Sequence, residues 1–236
     1  MNEFDNSITD RINHVKQLIT DACIRSGRKP DEISILPVSK HFDTECIESM
    51  IKSGFTCFGE NRIQELRKKY NKISKNIKWI MIGNLQTNKA KEAINYIDEL
   101  ESMDRLELAL VLDKHLKLEK KSLKTLIQVK TSSEPQKYGL DPDQLIDFVG
   151  KISENYRSLE IVGLMTIAEN SKDHKIIRKC FSLLRNLMEK VNEQKIPRVD
   201  LRKLSMGMSN DFEIAIEEGA TEVRLGSILF GKRIYT

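Results

Sequence analysis

The stretch Ser34-Ile35-Leu36-Pro37-Val38-Ser39-Lys40 decides how the rest of the chain is interpreted. A short run of apolar and β-branched residues bounded by turn-forming residues is typical of a buried strand. Lys40 therefore lies where a strand leaves the core. A lysine in that place is usually a solvated surface charge. The alternative is a desolvated amine, because loss of water lowers the pKa of lysine and favours attack on a carbonyl carbon.

Similar apolar runs recur along the chain, and most are followed by an amphipathic segment. The first helix, Asp5 to Ser26, precedes the first strand and ends at Gly27. Eight strands are predicted, at residues 34–40, 55–59, 78–82, 99–103, 124–129, 159–167, 201–206 and 222–225. The helices between them are predicted from residue 43 or 44 to 54 and at 61–70, 88–96, 105–120, 141–156, 174–193 and 210–218. Residues 227–236 leave room for one short helix.

Strict alternation of strands and helices with short connections predicts a parallel sheet covered by helices. Eight such units favour a closed barrel over an open doubly wound sheet. We therefore predict an α/β fold, a single-domain (βα)8 TIM-type barrel over residues 1–236 with an extra N-terminal helix. The predicted strand at 99–103 is short and polar, which makes it the weakest pattern of the eight.

Composition argues against several classes of protein. The chain has 39 basic and 35 acidic residues without a long basic run, so nucleic-acid binding is not expected. The absence of a secretory signal and of about 18 consecutive apolar residues argues against a membrane protein and for a cytoplasmic one. The four cysteines have neither the spacing of a metal site nor the density of a disulfide scaffold, which predicts buried, reduced thiols.

Two loops combine glycine and hydroxyl groups after the seventh and eighth strands, where barrels of this kind commonly bind phosphate. Leu204 to Asp211 (LSMGMSND) and Val223 to Ser227 (VRLGS) each place such a turn before a helix. Either loop alone is more often an ordinary strand-to-helix turn with a polar cap. The two together favour a phosphorylated small molecule as the ligand.

Arg224 lies two residues before Gly226 on the same predicted strand, so the two residues face the same side. An arginine that faces the inside of a barrel needs a partner. One possibility is an internal salt bridge to a glutamate such as Glu60. The other is a contact with the ligand.

Several of these stretches together resemble the pyridoxal phosphate homeostasis protein family. The similar blocks are Val38 to Lys40, Phe58 to Asn61, Ile82 to Lys89, Gly163 to Thr166, Leu204 to Asp211 and Val223 to Gly231. They follow the order of the family over nearly the whole chain, and LSMGMS and VRLGS are the most specific. The resemblance implies a single-domain barrel, similar to the N-terminal domain of bacterial alanine racemase, that holds pyridoxal 5′-phosphate (PLP) as an internal aldimine.

The resemblance assigns six residues to PLP binding: Lys40, Asn61, Ser205, Arg224, Gly226 and Ser227. On this assignment the lysine forms the aldimine, and the two serines with the glycine hold the phosphate. The arginine faces the pyridine nitrogen, and the asparagine lies near the ring. No residue is assigned a catalytic role, and no metal is expected.

Two positions depart from the family, and a third agrees with it. Ile80 follows Trp79 where the family generally has histidine, which removes a polar neighbour of the ring. Lys130 stands where the family often has asparagine, and it either adds a positive charge near the cofactor or points into solvent. Lys137 matches a lysine that the family tends to keep.

Arg224 also bears on whether the chain is an enzyme. An enzyme that uses PLP fully as an electron sink keeps the ring nitrogen protonated, whereas a guanidinium group only donates hydrogen bonds. Racemases tolerate an arginine at this place, but they need two bases on opposite faces of the substrate carbon. In alanine racemase a second base is a tyrosine of a C-terminal domain, and this chain ends before such a domain could form. We therefore expect a carrier or buffer in vitamin B6 homeostasis, not an enzyme, that is a monomer or weak dimer, with PLP-dependent apo-enzymes as candidate recipients.

Two alternatives stay open. The first is a PLP-dependent amino-acid racemase or lyase completed by a partner subunit. The second is a cofactor-free barrel enzyme that acts on a sugar phosphate, with Lys40 forming an imine to the substrate. A yellow colour that borohydride bleaches separates the second alternative from PLP binding.

Overall fold

The computed structural model describes residues 3–73, 76–134 and 136–231 and places eight parallel strands around a barrel. The strands are Ser34–Pro37 (β1), Cys57–Glu60 (β2), Lys78–Met81 (β3), Glu99–Met103 (β4), Leu123–Gln128 (β5), Leu159–Met165 (β6), Lys203–Ser205 (β7) and Glu222–Leu225 (β8). Neighbouring strands pair in the order β1-β8-β7-β6-β5-β4-β3-β2. A parallel bridge between Val38 and Gly59 joins β1 to β2 and closes the barrel. The predicted fold class is confirmed.

Helices follow the strands around the outside of the barrel, as the alternating pattern predicts. They are Glu3–Ser26 (α1), Thr44–Lys52 (α2), Ile63–Tyr70 (α3), Ala90–Ala93 (α4), Leu106–Leu118 (α5), Leu145–Asn155 (α6), His174–Glu193 (α7), Phe212–Glu217 (α8) and Ser227–Phe230 (α9). The extra N-terminal helix α1 packs against α8 and α9. There Arg11 Nε donates a 2.7 Å hydrogen bond to the carbonyl of Leu229.

Several element ends differ from the sequence prediction for local reasons. The helix predicted from residue 61 begins at Ile63, because Arg62 keeps an extended backbone. The helix predicted at 88–96 is α-helical only over Ala90–Ala93 and is preceded by a 3₁₀ turn at Thr87–Lys89. A short helix after the last strand is present at Ser227–Phe230, and the residues after Gly231 lie outside the described part of the chain.

Apolar side chains fill two regions. The larger region lies between the sheet and the helices, includes residues from β2 to β8 and is contacted by Ile35 of β1. Five other buried apolar residues do not belong to that cluster: Leu36, Val38, Ile80, Leu126 and Met165. A Cβ atom added to Gly59 would lie 3.3 Å from both Leu36 Cδ2 and Ile82 Cδ1, so these groups share one side of the barrel wall. Side-chain alternation then places Val38 and Lys40 on the same, inner side as Leu36.

The four cysteines are unpaired in the structure. Cys23 and Cys180 are buried, whereas Cys46 and Cys57 are only partly buried, so the prediction of buried thiols holds for two of them. Burial raises the pKa of Cys46 to about 12 and that of Cys57 to about 11. Within the described ranges, no helix has both the length and the apolar character needed to cross a bilayer.

Candidate functional site

Lys40 lies at the rim of the barrel, just beyond the C-terminal end of β1. Val38 N donates to Leu225 O of β8 at 2.8 Å, and Ser39 N donates to Gly59 O of β2 at 3.0 Å. The chain then turns, and Lys40 is half-buried. Its backbone is thus fixed between β8 and β2, at the end of a barrel where active and binding sites of this fold are built.

Arg224 is buried in β8, with 4% of its surface exposed. Its Nη1 donates to Ser205 Oγ at 2.8 Å, and its Nη2 donates to the carbonyl of Thr166 at 2.6 Å. Its Nε makes no hydrogen bond to any described group. Of the two possibilities for Arg224, the internal salt bridge to Glu60 is not formed, because Glu60 instead bonds Ser39 Oγ and Lys69 Nζ.

Ser205 is fully buried at the end of β7. Its hydroxyl donates to Glu101 Oε2 at 2.7 Å and accepts the hydrogen bond from Arg224. The hydroxyl is therefore already used by two partners of the protein itself. A direct contact between Ser205 and a phosphate group would require one of these bonds to be exchanged.

A second charged layer lies one step closer to the N-terminal ends of the strands. Lys203 Nζ lies 2.5 Å from Glu99 Oε1, 3.2 Å from Glu101 Oε1 and 2.7 Å from Glu222 Oε2. Three carboxyl groups thus surround one ammonium group, which together with burial makes full ionisation of all three unfavourable. Burial and then Glu101 raise the pKa of Glu222 well above its ordinary value.

The pKa of Glu101 is shifted in the opposite direction. Burial works to raise its pKa, but Lys203, a hydrogen bond from Glu222 and the charge of Arg224 outweigh burial and lower it to about 2. Among the described groups, neither Glu101 Oε1 nor Glu222 Oε1 has a hydrogen-bond partner when both residues are ionised. A proton held by Glu222 and donated to Glu101 satisfies both oxygens. The buried layer therefore keeps Glu101 ionised beneath Ser205.

The loop after β7 contains a glycine that no other residue could replace easily. Gly207 has a φ of +90°, and an added Cβ would lie 2.6 Å from Ala215 Cβ. Its carbonyl accepts a 2.9 Å hydrogen bond from Arg224 N, which ties this loop to β8. Met208 N donates to Asp211 Oδ1 at 2.6 Å. The loop is thus a fixed turn beside Arg224.

Gly226 and Ser227 form the connection from β8 to α9. The carbonyl of Gly226 accepts hydrogen bonds of 3.0 Å from the amides of Leu229 and Phe230. Ser227, the first residue of α9, is exposed. The first amides of a helix have no acceptor within it and favour an anion. A Cβ added to Gly226 would lie 3.8 Å from Val38 Cβ, which places this connection next to the strand that carries Lys40.

Asn61 follows β2 and lines an open cavity of about 1070 Å³ at the C-terminal ends of the strands, together with His41, Tyr138 and Ile167. The loop after β3 approaches Asn61 closely, since a Cβ added to Gly83 would lie 2.2 Å from the Asn61 carbonyl oxygen. Asn61 is the one predicted binding residue in this lining. The cavity therefore lies beside Lys40, away from the loops after β7 and β8.

The three positions compared with the family have different surroundings. Ile80 is buried in β3 and, by alternation, faces the same side as Ile82. Lys130 is half-buried after β5. The Lys137 ammonium donates to the carbonyl of Ala168 and lies 2.5 Å from Glu134 Oε2, so it ties together the loops after β5 and β6.

The sequence interpretation missed two partners of the predicted residues, Glu101 and Thr166. Thr166 is buried and supplies the carbonyl that holds Arg224. A signal for Glu101 was present, because Glu99 and Glu101 alternate along a strand of a barrel and so face the same side. Acidic residues that face inward together require cations nearby. The same alternation along β7 and β8 turns Lys203 and Arg224 inward.

The donor groups at the rim fit the chemistry of PLP. They combine a lysine amine for an aldehyde, a serine hydroxyl with helix-start amides for a phosphate, and an arginine with one unbonded donor for a ring nitrogen. The exposed hydroxyl of Ser227, rather than that of Ser205, is open to a ligand. The groups that match PLP therefore lie at the rim of the barrel between β8 and β2.

Comparisons with known proteins point to the same family that the sequence motifs resemble. The model of the alanine racemase N-terminal domain family matches residues 34–233. The pyridoxal phosphate homeostasis protein of Aquifex aeolicus is 37% identical over 227 residues, which cover 96% of this chain and 98% of that protein. The protein of the same name from Vibrio cholerae is 36% identical over 235 residues, or 98% of each chain.

A solved structure supports the same relationship. The structure of PipY from Synechococcus elongatus with PLP bound has a TM-score of 0.82 and 32% sequence identity, and the match covers 95% of this chain and all of that one. The similarity thus extends over nearly the whole length of each relative. This chain belongs to the pyridoxal phosphate homeostasis protein family, whose barrel is that of the alanine racemase N-terminal domain.

Proposed function

We propose that this chain binds PLP through a covalent bond to Lys40 and acts in PLP homeostasis as a carrier or buffer rather than as a catalyst. The observation that carries the proposal is the position of Lys40 at the barrel rim, one strand away from Gly226 and Ser227. The names of the relatives and the PLP in the PipY structure support the same ligand.

Each residue at the rim has its own role in binding PLP. The amine of Lys40 adds to the aldehyde carbon of PLP, and water leaves as the C=N bond forms. The hydroxyl of Ser227 and the first amides of α9 bind the phosphate. Asn61 lies on the opposite side of Lys40, next to the open cavity, and borders the ring. Ser205 supports this arrangement from below through Arg224.

Arg224 determines what the bound ring can do. Bound PLP supplies an aromatic ring that withdraws electrons strongly when its nitrogen is protonated. Both terminal nitrogens of Arg224 are held by Ser205 and Thr166, which leaves Nε to donate to the ring nitrogen. Because a guanidinium group accepts no hydrogen bond and keeps its proton, the ring nitrogen stays unprotonated. This arrangement favours storage over turnover.

A second candidate function is a PLP-dependent racemase or lyase that needs a partner subunit. The observation in its favour is the match to the alanine racemase N-terminal domain. Tyr138, 65% exposed beside the cavity, is the nearest candidate for a second base.

For the carrier function, PLP-dependent apo-enzymes are the candidate recipients, and a monomer or weak dimer is the proposed state.

The experiment that tests the proposal is a spectroscopic titration of the purified PLP-free protein with PLP. We expect a visible absorption band that saturates at one equivalent and that borohydride removes. The absence of such a band would contradict PLP binding through a lysine and would favour a different phosphorylated ligand.

A further inference from the structure

A buried ammonium group lies directly behind the turn that carries Lys40. Lys69 of α3 has only 5% of its surface exposed. Its Nζ donates to the carbonyl of Ser39 at 2.7 Å, to Glu60 Oε1 at 2.7 Å and to Glu65 Oε1 at 2.8 Å. All three donor positions of this ammonium group are therefore occupied by partners that the protein supplies.

The two carboxylates reach the residues on either side of Lys40. Glu60 Oε1 accepts a 2.6 Å hydrogen bond from Ser39 Oγ, and Glu65 Oε1 accepts a 2.6 Å hydrogen bond from His41 N. The residue before Lys40 and the residue after it are thus bound to a single network centred on Lys69. Lys40 itself lies between two fixed points of the backbone.

The turn needs such restraint because its backbone is unusual. His41 has a φ of +66°, in the left-handed region that residues with a side chain adopt at a cost. Phe42 N donates to Ser39 O at 3.0 Å, which closes the turn around Lys40 and His41. A strained turn persists when the surrounding structure determines it, and such turns are concentrated at functional sites.

Burial makes the network depend on its ammonium group. Burial raises the pKa of Glu60, while Lys69 and the Ser39 hydroxyl oppose the increase. Glu60 Oε2 has no hydrogen-bond partner among the described groups, so Lys69 is the cation that compensates this carboxylate. Without that cation the carboxylate would take up a proton or move toward solvent, and Ser39 would lose an acceptor.

We propose that Lys69 is a positioning residue for Lys40: with Glu60 and Glu65 it fixes the backbone on both sides of the lysine and so aims its amine at the ligand. This inference rests on the proposed role of Lys40 in PLP binding. Lys69 touches neither the ligand nor the reacting atoms. It acts through the geometry of the turn, and errors of about 1 Å in such geometry can slow a reaction about a hundredfold.

Four variants test the inference. Lys69→Met removes the ammonium group but retains a long side chain, and Lys72→Met, at an exposed lysine just after α3, is its matched control. Because Lys69→Met leaves Glu60 buried without its cation and endangers folding, Glu65→Ala is the second variant. It keeps the Lys69–Glu60 pair and removes the carboxylate that accepts hydrogen bonds from His41 N and Lys69 Nζ. Glu65→Gln restores an acceptor oxygen for these bonds.

The first measurement is amide hydrogen exchange in the PLP-free protein. We expect His41 N to exchange at least about tenfold faster in Glu65→Ala than in the wild type, since the amide loses its acceptor. Protection should return in Glu65→Gln. An unchanged exchange rate in Glu65→Ala would contradict the role of this bond in the turn, whatever ligand the protein binds.

The second measurement has two parts. One is the rate at which the visible absorption band forms after PLP is added, and the other is the pH at which that band reaches half of its maximal absorbance. We expect Lys69→Met and Glu65→Ala to slow formation by about tenfold or more and to shift the pH profile. Lys72→Met and Glu65→Gln should remain close to the wild type. A folded variant with the wild-type rate and pH profile would overturn the positioning role alone, whereas the absence of a band in the wild type would overturn the proposed function first.

Discussion

Arg224 Nη1 donates a 2.8 Å hydrogen bond to Ser205 Oγ, and both side chains are buried in the barrel. The same hydroxyl donates to Glu101. The two serines that the family resemblance assigned to the phosphate therefore have different surroundings. Ser205 belongs to an internal network that supports Arg224, whereas Ser227 is exposed at the start of α9. The two serines should therefore respond differently to the same substitution.

Ser227→Ala is expected to weaken PLP binding by about tenfold to a hundredfold, because a hydrogen bond to a charged group contributes roughly 1.5 to 3 kcal/mol. Pyridoxal, which lacks the phosphate, should bind equally well to the variant and the wild type. Parallel titrations of both ligands measure the effect. An equal loss for both ligands would mean that Ser227 shapes the loop and does not contact the phosphate.

Ser205→Ala is expected to lower the free energy of unfolding by about 1 to 3 kcal/mol, because it leaves two buried polar groups without a partner. These groups are Arg224 Nη1 and Glu101 Oε2. Urea unfolding of the PLP-free protein measures the loss, with Ser227→Ala as the matched control. Unchanged stability together with a loss of binding specific for PLP would instead place the Ser205 hydroxyl on the phosphate.

Glu222→Gln tests the shared proton of the buried layer. Burial and Glu101 raise the pKa of Glu222 well above its ordinary value of 4.5, so the folded protein holds this proton at pH values where the unfolded chain has released it. Stability contributed by the group is therefore complete at low pH and is lost as the pH rises. The glutamine amide imitates the protonated acid at every pH, donating to Glu101 and accepting from Lys203.

The stability of Glu222→Gln relative to the wild type should therefore increase as the pH rises above 4.5. Chemical unfolding between about pH 5 and 8 measures the difference, and Glu160→Gln, at an exposed glutamate of β6, is the control. A difference that stays constant over this range would show that Glu222 is ionised in the folded protein.

Amino-acid racemisation by the PLP-loaded protein is expected to exceed that of free PLP only by a small factor. In the proposed site, Arg224 would donate to the ring nitrogen and keep it unprotonated, which would weaken the ring as an electron sink. Chiral chromatography after incubation with a panel of L-amino acids measures the rate. Turnover of about 1 per second or faster that disappears in Lys40→Ala would support the racemase instead, and Tyr138→Phe would then test the second base.

The barrel could be predicted because its evidence is local. Most strands are short apolar runs, and each helix has its own periodicity, so the alternation of the eight units could be recognised even though β4 is polar. Element ends were less accurate, since the extended backbone of Arg62 and the 3₁₀ turn at Thr87–Lys89 leave no strong signal in the pattern.

The charged interior could not be predicted in the same way. Ser205 and Glu101 lie 104 residues apart, and their contact depends on how the closed barrel brings β4 and β7 to one level. The sequence pointed to Arg224 as inward-facing and left open a salt bridge to a glutamate such as Glu60. In the structure Glu60 instead pairs with Lys69 of the next helix.

The most direct test of the account is to locate the PLP linkage by borohydride reduction followed by peptide mass mapping. We expect a single reduced adduct on Lys40, and in Lys40→Ala we expect a folded protein without the visible band and without an adduct. Lys130→Ala and Lys137→Ala, at the two lysines in the loop after β5, are the controls and should keep the adduct on Lys40. An adduct that persists in Lys40→Ala, or that maps to Lys130 or Lys137 in the wild type, would contradict the assignment of Lys40.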